Sequence, residues 1–193
     1  MSYLDDRFLI AAWILTAIMV LVAAVIDYRR FRVPNLLTFP LCASGLVFHG
    51  IAGGLSGLEA SAQGLMLGGL LLVVFYVLGV MGAGDVKLLA GVGAWLGASN
   101  TFYIFLVAAL AAGVQSITVF ALQRRLGYMR AFLQVMILQL LTLGRHVVWS
   151  EPLGEVVQRP DRRRHVMPFA VMIAVGLTVV AVRGLVGELP GPV

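Results

Sequence analysis

Long apolar runs, separated by short polar punctuation, organise this chain from end to end. The first extends from Phe8 to Ile26 and, as a helix, is long enough to cross about 30 Å of hydrocarbon. Asp5, Asp6 and Arg7 precede it where a secretory signal would carry a basic cluster, so it reads as a first transmembrane helix. It ends on the charged segment Asp27-Tyr-Arg-Arg-Phe-Arg-Val-Pro-Asn35. Proline suits the start of a helix rather than its interior, so Pro34 predicts a second span from about Leu36 to Leu55. Glycine and serine at 53–57 mark a turn, and a third span follows from about Ala62 to Met81. Beyond Gly82-Ala-Gly-Asp-Val-Lys87 come a glycine-broken apolar helix, Val86 to Gly97, a turn at Ser99 and Asn100, and a fifth run from Phe102 to Leu122. A last run covers Met167 to Val186. Residues 131–143 are apolar but short, contain Gln134 and Gln139, and lie between Arg130 and Arg145. That pattern predicts an interfacial or re-entrant helix.

The predicted fold is therefore all-α: a polytopic membrane protein, a bundle of six transmembrane helices with one additional interfacial helix. It forms a single domain over 1–193, with a basic loop at about 123–166. Glycines four apart, Gly53 and Gly57, Gly64 and Gly68, Gly93 and Gly97, predict close helix packing.

Composition agrees. The chain is 61% hydrophobic and 12% charged, with a mean hydropathy of +0.99, whereas soluble domains carry about 25% charge. The net charge of +5 does not form a nucleic-acid-binding face, because the basic residues fall in loops between spans. With six spans and the N-terminus outside, the inner side receives Arg29, Arg30, Arg32, Lys87, Arg124, Arg125, Arg130, Arg145, Arg159, Arg162, Arg163 and Arg164, and the outer side only Arg7 and Arg183. This is a strong positive-inside signal, which a seventh span would spoil. Cys42, the single cysteine, offers no disulfide framework or cysteine-based metal site and reads as a packing residue. His49 and His165 lack metal-ligand spacing. No metal or cofactor is expected.

The same topology isolates two carboxylates. Of nine acidic residues, only Asp27 and Asp85 lie at inner span boundaries. An acid at the edge of a hydrophobic span is costly to keep and is a functional candidate. Two such acids on neighbouring helices can share a proton and activate a water toward an amide carbonyl. The alternative is that each caps a helix or pairs with a nearby cation, Lys87 for Asp85 and Arg29 or Arg30 for Asp27. Helix dipoles favour Asp85, at a helix N-terminus, as the base, and leave the shared proton on Asp27 at a helix C-terminus.

Asp27-Tyr-Arg-Arg-Phe-Arg-Val-Pro-Asn-Leu-Leu-Thr-Phe-Pro40 and Gly82-Ala-Gly-Asp-Val-Lys-Leu-Leu-Ala-Gly-Val-Gly-Ala-Trp-Leu-Gly97 resemble the two signature regions of the type IV prepilin peptidases. Val33 stands where that family has isoleucine. Gly82-Ala-Gly-Asp85 matches its Gly-x-Gly-Asp motif, shared in part with presenilin-like intramembrane proteases. Met167-Pro-Phe-Ala170 and Gly176 are similar to its closing helix. The resemblance implies an aspartic endopeptidase, with Asp27 and Asp85 as catalytic residues, that removes the basic leader of prepilin-like membrane peptides. It would act at the cytoplasmic face of the bacterial inner membrane. Larger members add a cysteine-bearing N-terminal extension and methylate the new N-terminus. This chain resembles the short, peptidase-only branch associated with Flp-type pili, so no methyltransferase activity is expected.

Around the pair, Gly82 and Gly84 either let substrate backbone approach Asp85 or serve helix packing. Lys87 either tunes Asp85 or meets a lipid headgroup. Pro34 and Asn35 shape the loop that aims Asp27, and Pro168 begins the closing helix. The basic inner loops suit anionic lipid headgroups. Three rivals stay open: a Gly-x-Gly-Asp protease with another substrate, a transporter or proton channel, and a non-catalytic assembly scaffold. Both acids at one face and the lack of an evident inverted repeat weigh against transport.

Overall fold

The computed structural model describes residues 6–30, 33–77, 81–122 and 169–185, and they are helical almost throughout. The elements are α1 (Asp6–Arg30), α2 (Asn35–Val77), α3 (Ala83–Leu122) and α4 (Phe169–Leu185). The interfacial helix expected at 131–143, the basic loop at about 123–166 and Pro168 lie outside the described residues. Among the described residues three helices are long and apolar enough to cross a membrane, and a fourth apolar stretch, Phe169–Gly184, is shorter. Large apolar side chains such as Ile10, Ile51, Leu55, Leu110 and Ile117 are exposed, as lipid-facing positions must be.

At 1.5 Å per residue α2 would be about 65 Å long if straight, twice the hydrocarbon thickness. It is not straight. Gly54 breaks it with φ 60° and ψ −144°, a left-handed conformation that glycine adopts without a Cβ penalty. The packing of its two arms on α3 shows a reversal. Along 35–53 the numbering rises with that of α3: Gly91 lies against Leu41 and Gly45 against Ala94. Along 55–77 it falls: Gly64 lies against Gly93, and Gly68 against Leu89. The two arms thus run in opposite directions and grip 83–96 between them. At Gly64 and Gly93 backbone touches backbone, and a Cβ on either would collide with the other's carbonyl. This is the close approach that small residues permit in membrane bundles.

The second break is at Gly97, with φ 77° and ψ 172°. The turn expected at Ser99 and Asn100 is therefore two residues early, and both of those residues are helical. Glycine, not the polar pair, supplies the required positive φ. A break here strips the carbonyls of residues 94–96 of their helical N–H partners, while Gly97, as the cap of the helical stretch that follows, keeps its carbonyl in that stretch. Side chains replace all three. Ser61 Oγ donates to Ala94 O at 2.7 Å, His49 Nε2 to Trp95 O at 3.0 Å and Asn100 Nδ2 to Leu96 O at 3.0 Å. Thr101 Oγ1 adds a back-bond of one helical turn to Gly97 O at 2.7 Å. Trp95 in turn donates from Nε1 to Leu41 O at 3.0 Å and stacks on Phe48. His49, Ser61 and Thr101 are fully buried. Histidine at 49 is thus a capping residue.

Beyond Gly97, α3 packs on α4, where Gly176 meets Ile104 and Ala108. The helix α1 leans mainly on α4 and touches α2 sparsely. Its last turn carries Asp27, because α1 continues to Arg30 rather than ending at Ile26.

Removing one cap tests this reading. His49→Leu leaves the Trp95 carbonyl without its donor and should cost about 1 kcal/mol of stability in detergent. Thermal unfolding of the purified protein checks it; an unchanged midpoint would show that the carbonyl finds another partner.

Candidate active site

The charged segment after α1 is short, and Pro34 accepts the first turn of α2: Leu37 N and Thr38 N donate to its carbonyl at 3.1 and 3.4 Å. The described residues just ahead of α2 lie against the start of α3. Val33 packs on the hydrophobic core and sits directly beside Gly84, where a Cβ would come within 3.0 Å of the Val33 Cβ. Gly84 makes room for this chain's own loop. Gly82 differs. It is exposed, and its open face lies beside Asp85, 3.7 Å from Oδ2 to where a Cβ would sit. Its carbonyl accepts the Asp85 N–H at 3.2 Å, which tightens the entry into α3.

Asp85 is half-buried in the first turn of α3, and its Oδ1 is buried without a hydrogen-bond partner among the described residues. A polar atom left so costs roughly 1–3 kcal/mol, which is tolerated where a ligand or water is to complete it. Asp27 is 6% exposed. Its Oδ2 accepts the backbone N–H of Ala170 at 3.3 Å. Ala170 is the second residue of α4, so Asp27, though on the last turn of α1, caps the N-terminus of another helix. Asp27 is in the last turn of α1, and Val33, soon after it in the chain, packs on Gly84 beside Asp85. Two acids from separate helices are thus gathered at one end of the bundle.

This changes the dipole argument. Asp27 is not left facing only a helix C-terminus, because the first turn of α4 meets it with an N–H and a positive helix end. The Ala170 donor was invisible to a search for functional side chains, since it belongs to the backbone. The signal available was Pro168, a helix-starting residue just ahead of it.

Lys87 forms no ion pair with Asp85. Its ammonium donates to Asn35 Oδ1 at 2.9 Å and lies 4.9 Å from the centre of the Phe39 ring. No group of three or more histidine, cysteine or acidic side chains that could hold a metal occurs among the described residues.

Residues 14–117, just over half the chain, match the type IV leader peptidase family. The chain is 38% identical over 113 residues to a prepilin leader peptidase/N-methyltransferase of Escherichia coli (strain K12), an alignment covering 55% of this chain and 50% of that protein. It is 38% identical over 96 residues to a protein of the same name from Aeromonas hydrophila, covering 46% of this chain and 31% of the relative. A third, from Pectobacterium carotovorum subsp. carotovorum, is 39% identical over 97 residues, covering 47% and 34%. The chain thus spans half or less of the length of these relatives. No solved structure matches it.

The two glycines give a structural test. Gly82→Ala should leave the unfolding midpoint unchanged, because only Asp85 Oδ2 and Gly84 N approach the new methyl, at 3.7 and 4.0 Å. Gly84→Val drives a branched side chain into Val33 and should cost about 1–3 kcal/mol, the usual toll of overpacking. Equal midpoints for the two variants would show that Gly84 is not a packing site.

Proposed function

The chain belongs to the type IV leader peptidase family, and we propose that it is a membrane aspartic endopeptidase acting on prepilin-like peptides. The observation that carries this reading is the placement of Asp27 and Asp85, from helices far apart in sequence, at one end of an apolar bundle, where Val33 joins the chain after Asp27 to Gly84 beside Asp85. It cleaves the precursor's leader at the cytoplasmic face of the bacterial inner membrane.

A water held between the two acids attacks the scissile carbonyl carbon. Asp27, whose Oδ2 is an acceptor for the Ala170 N–H, takes the water's proton on its other oxygen. Asp85 carries the shared proton on the oxygen that has no partner at rest and gives it to the carbonyl oxygen. The tetrahedral intermediate then collapses: the C–N bond breaks, the departing amine takes the proton from Asp27, and the proton lent to the carbonyl oxygen returns to Asp85. Water is consumed, one amide is hydrolysed, and the pair regains its starting protonation. This reverses the assignment that helix dipoles alone suggest, and its support is the hydrogen-bonding of the two acids. Gly82, open beside Asp85, leaves space for the substrate strand.

The finer topology belongs to the same reading. The reversal at Gly54 and the break at Gly97 support six crossings, with the N-terminus outside and the basic loops meeting anionic lipid inside. The relatives' name also includes an N-methyltransferase activity; the proposal for this chain is the peptidase step alone.

Reconstituted protein should cleave a prepilin-type peptide, and the mass of the released product reports whether its N-terminus is methylated. Asp27→Asn and Asp85→Asn should each lower the rate by about 10²- to 10⁴-fold, the worth of a positioned acid or base. Retained cleavage in either variant removes the paired mechanism, and no cleavage by wild type removes the peptidase reading. The rate should also follow a bell-shaped pH profile, because one acid must be ionised and the other protonated. A rate flat from about pH 4 to 9 would contradict the shared proton.

A further inference from the structure

We propose that Lys87 is a positioning residue that acts through Asn35, locking the α1–α2 turn onto α3 so that Asp27 and Asp85 stay in register. The inference rests on the peptidase reading for its catalytic consequence, but not for its geometry.

Three observations carry it. First, the only side-chain to side-chain polar tie between the start of α2 and the start of α3 among the described residues is Lys87 Nζ to Asn35 Oδ1, at 2.9 Å. Second, the ammonium is held on its other side by the Phe39 ring, 4.9 Å away, and the Lys87 carbonyl is approached by Cys42 Sγ at 3.7 Å. Lys87 therefore meets α2 at three successive turns, and none of these contacts is to Asp85. Third, Val33 fits against Gly84 on the same seam. The turn that carries the chain from Asp27 to α2 is thus fixed to the helix that carries Asp85 at Val33 and Asn35.

The need for such a lock follows from the packing of α1, which leans on α4 and touches α2 sparsely. Asp27 belongs to a loosely seated helix, and Asp85 to an arm gripped on two sides. Without a tie at the turn, the spacing of the two acids would rest on the Asp27–Ala170 contact, the α1–α4 seam and a smaller direct contact of α1 with α3. A misplacement of about 1 Å can cost a reaction on the order of 100-fold. A lysine here has the reach to cross from α3 to α2, and an asparagine on an exposed first turn offers it a neutral acceptor.

The test separates a tie from a charge. Asn35→Leu cuts the tie and leaves the ammonium in place; Lys87→Met removes both. If Lys87 acts through Asn35, both variants lose kcat by about 10- to 100-fold, with KM and the pH profile unmoved. The double variant then loses no more than either single one. Asn35→Asp, which keeps an acceptor for the ammonium, loses far less than Asn35→Leu. If Lys87 acts by its charge on Asp85, Asn35→Leu is harmless, Lys87→Met displaces the pH profile, and the proposal fails. A second measurement needs no substrate. Spin labels at Arg29→Cys and Gly82→Cys, both exposed, in a Cys42→Ala background should report a narrow distance distribution that broadens in Asn35→Leu and in Lys87→Met. An unbroadened distribution in both would overturn the proposal even if wild type cleaves no peptide, and a broadened one would uphold the lock in a protein without peptidase activity.

Discussion

In hydrocarbon every backbone polar group must find a partner inside the protein, and this requirement governs how α3 is built. A break at Gly97 frees three consecutive carbonyls in the interior of an apolar bundle. Two of their donors, Ser61 and His49, come from opposite arms of α2, and one, Asn100, from α3 itself. The break is thus affordable only where α2 has already folded back. Conversely, each arm of α2 is registered against α3 by a specific carbonyl. The hairpin at Gly54 and the break at Gly97 are one structural unit.

The site inherits its rigidity unevenly from that unit. Asp85 starts the arm that α2 encloses, with Leu88 and Leu89 fully buried just beyond it. Asp27 arrives on a helix held from the far side, by α4. The two acids therefore belong to two bodies of unlike packing, joined by the short stretch at 33–35 and by the first turn of α4. Among the described residues neither acid has a salt bridge to a cation.

The runs of apolar residues were enough to read the class of fold, because hydrocarbon thickness sets a length that few other structures require. The first acid pair was legible for the same reason: once spans are drawn, Asp27 and Asp85 are the acids left at one boundary. The break lies at Gly97 rather than at Ser99 and Asn100 because polarity imitates a turn, whereas both residues are helical and the Asn100 side chain serves the helix end from within the helix. For Lys87 the sequence offers Asp85, two residues away, or a lipid headgroup, because sequence distance is visible and the fold that brings Asn35 nearer is not. Ala170 escaped altogether, since backbone donors carry no letter of their own.

That last point bears on how this site can change over time. Ala170 is fully buried, so packing limits the size of its side chain, but the N–H that meets Asp27 is supplied by any residue except proline. The hydrogen bond that Ala170 gives the buried acid is therefore indifferent to the side chain that accompanies it. Lineages can drift at this position while the carboxylate keeps its anchor, and a comparison of side chains alone would score the position as unimportant.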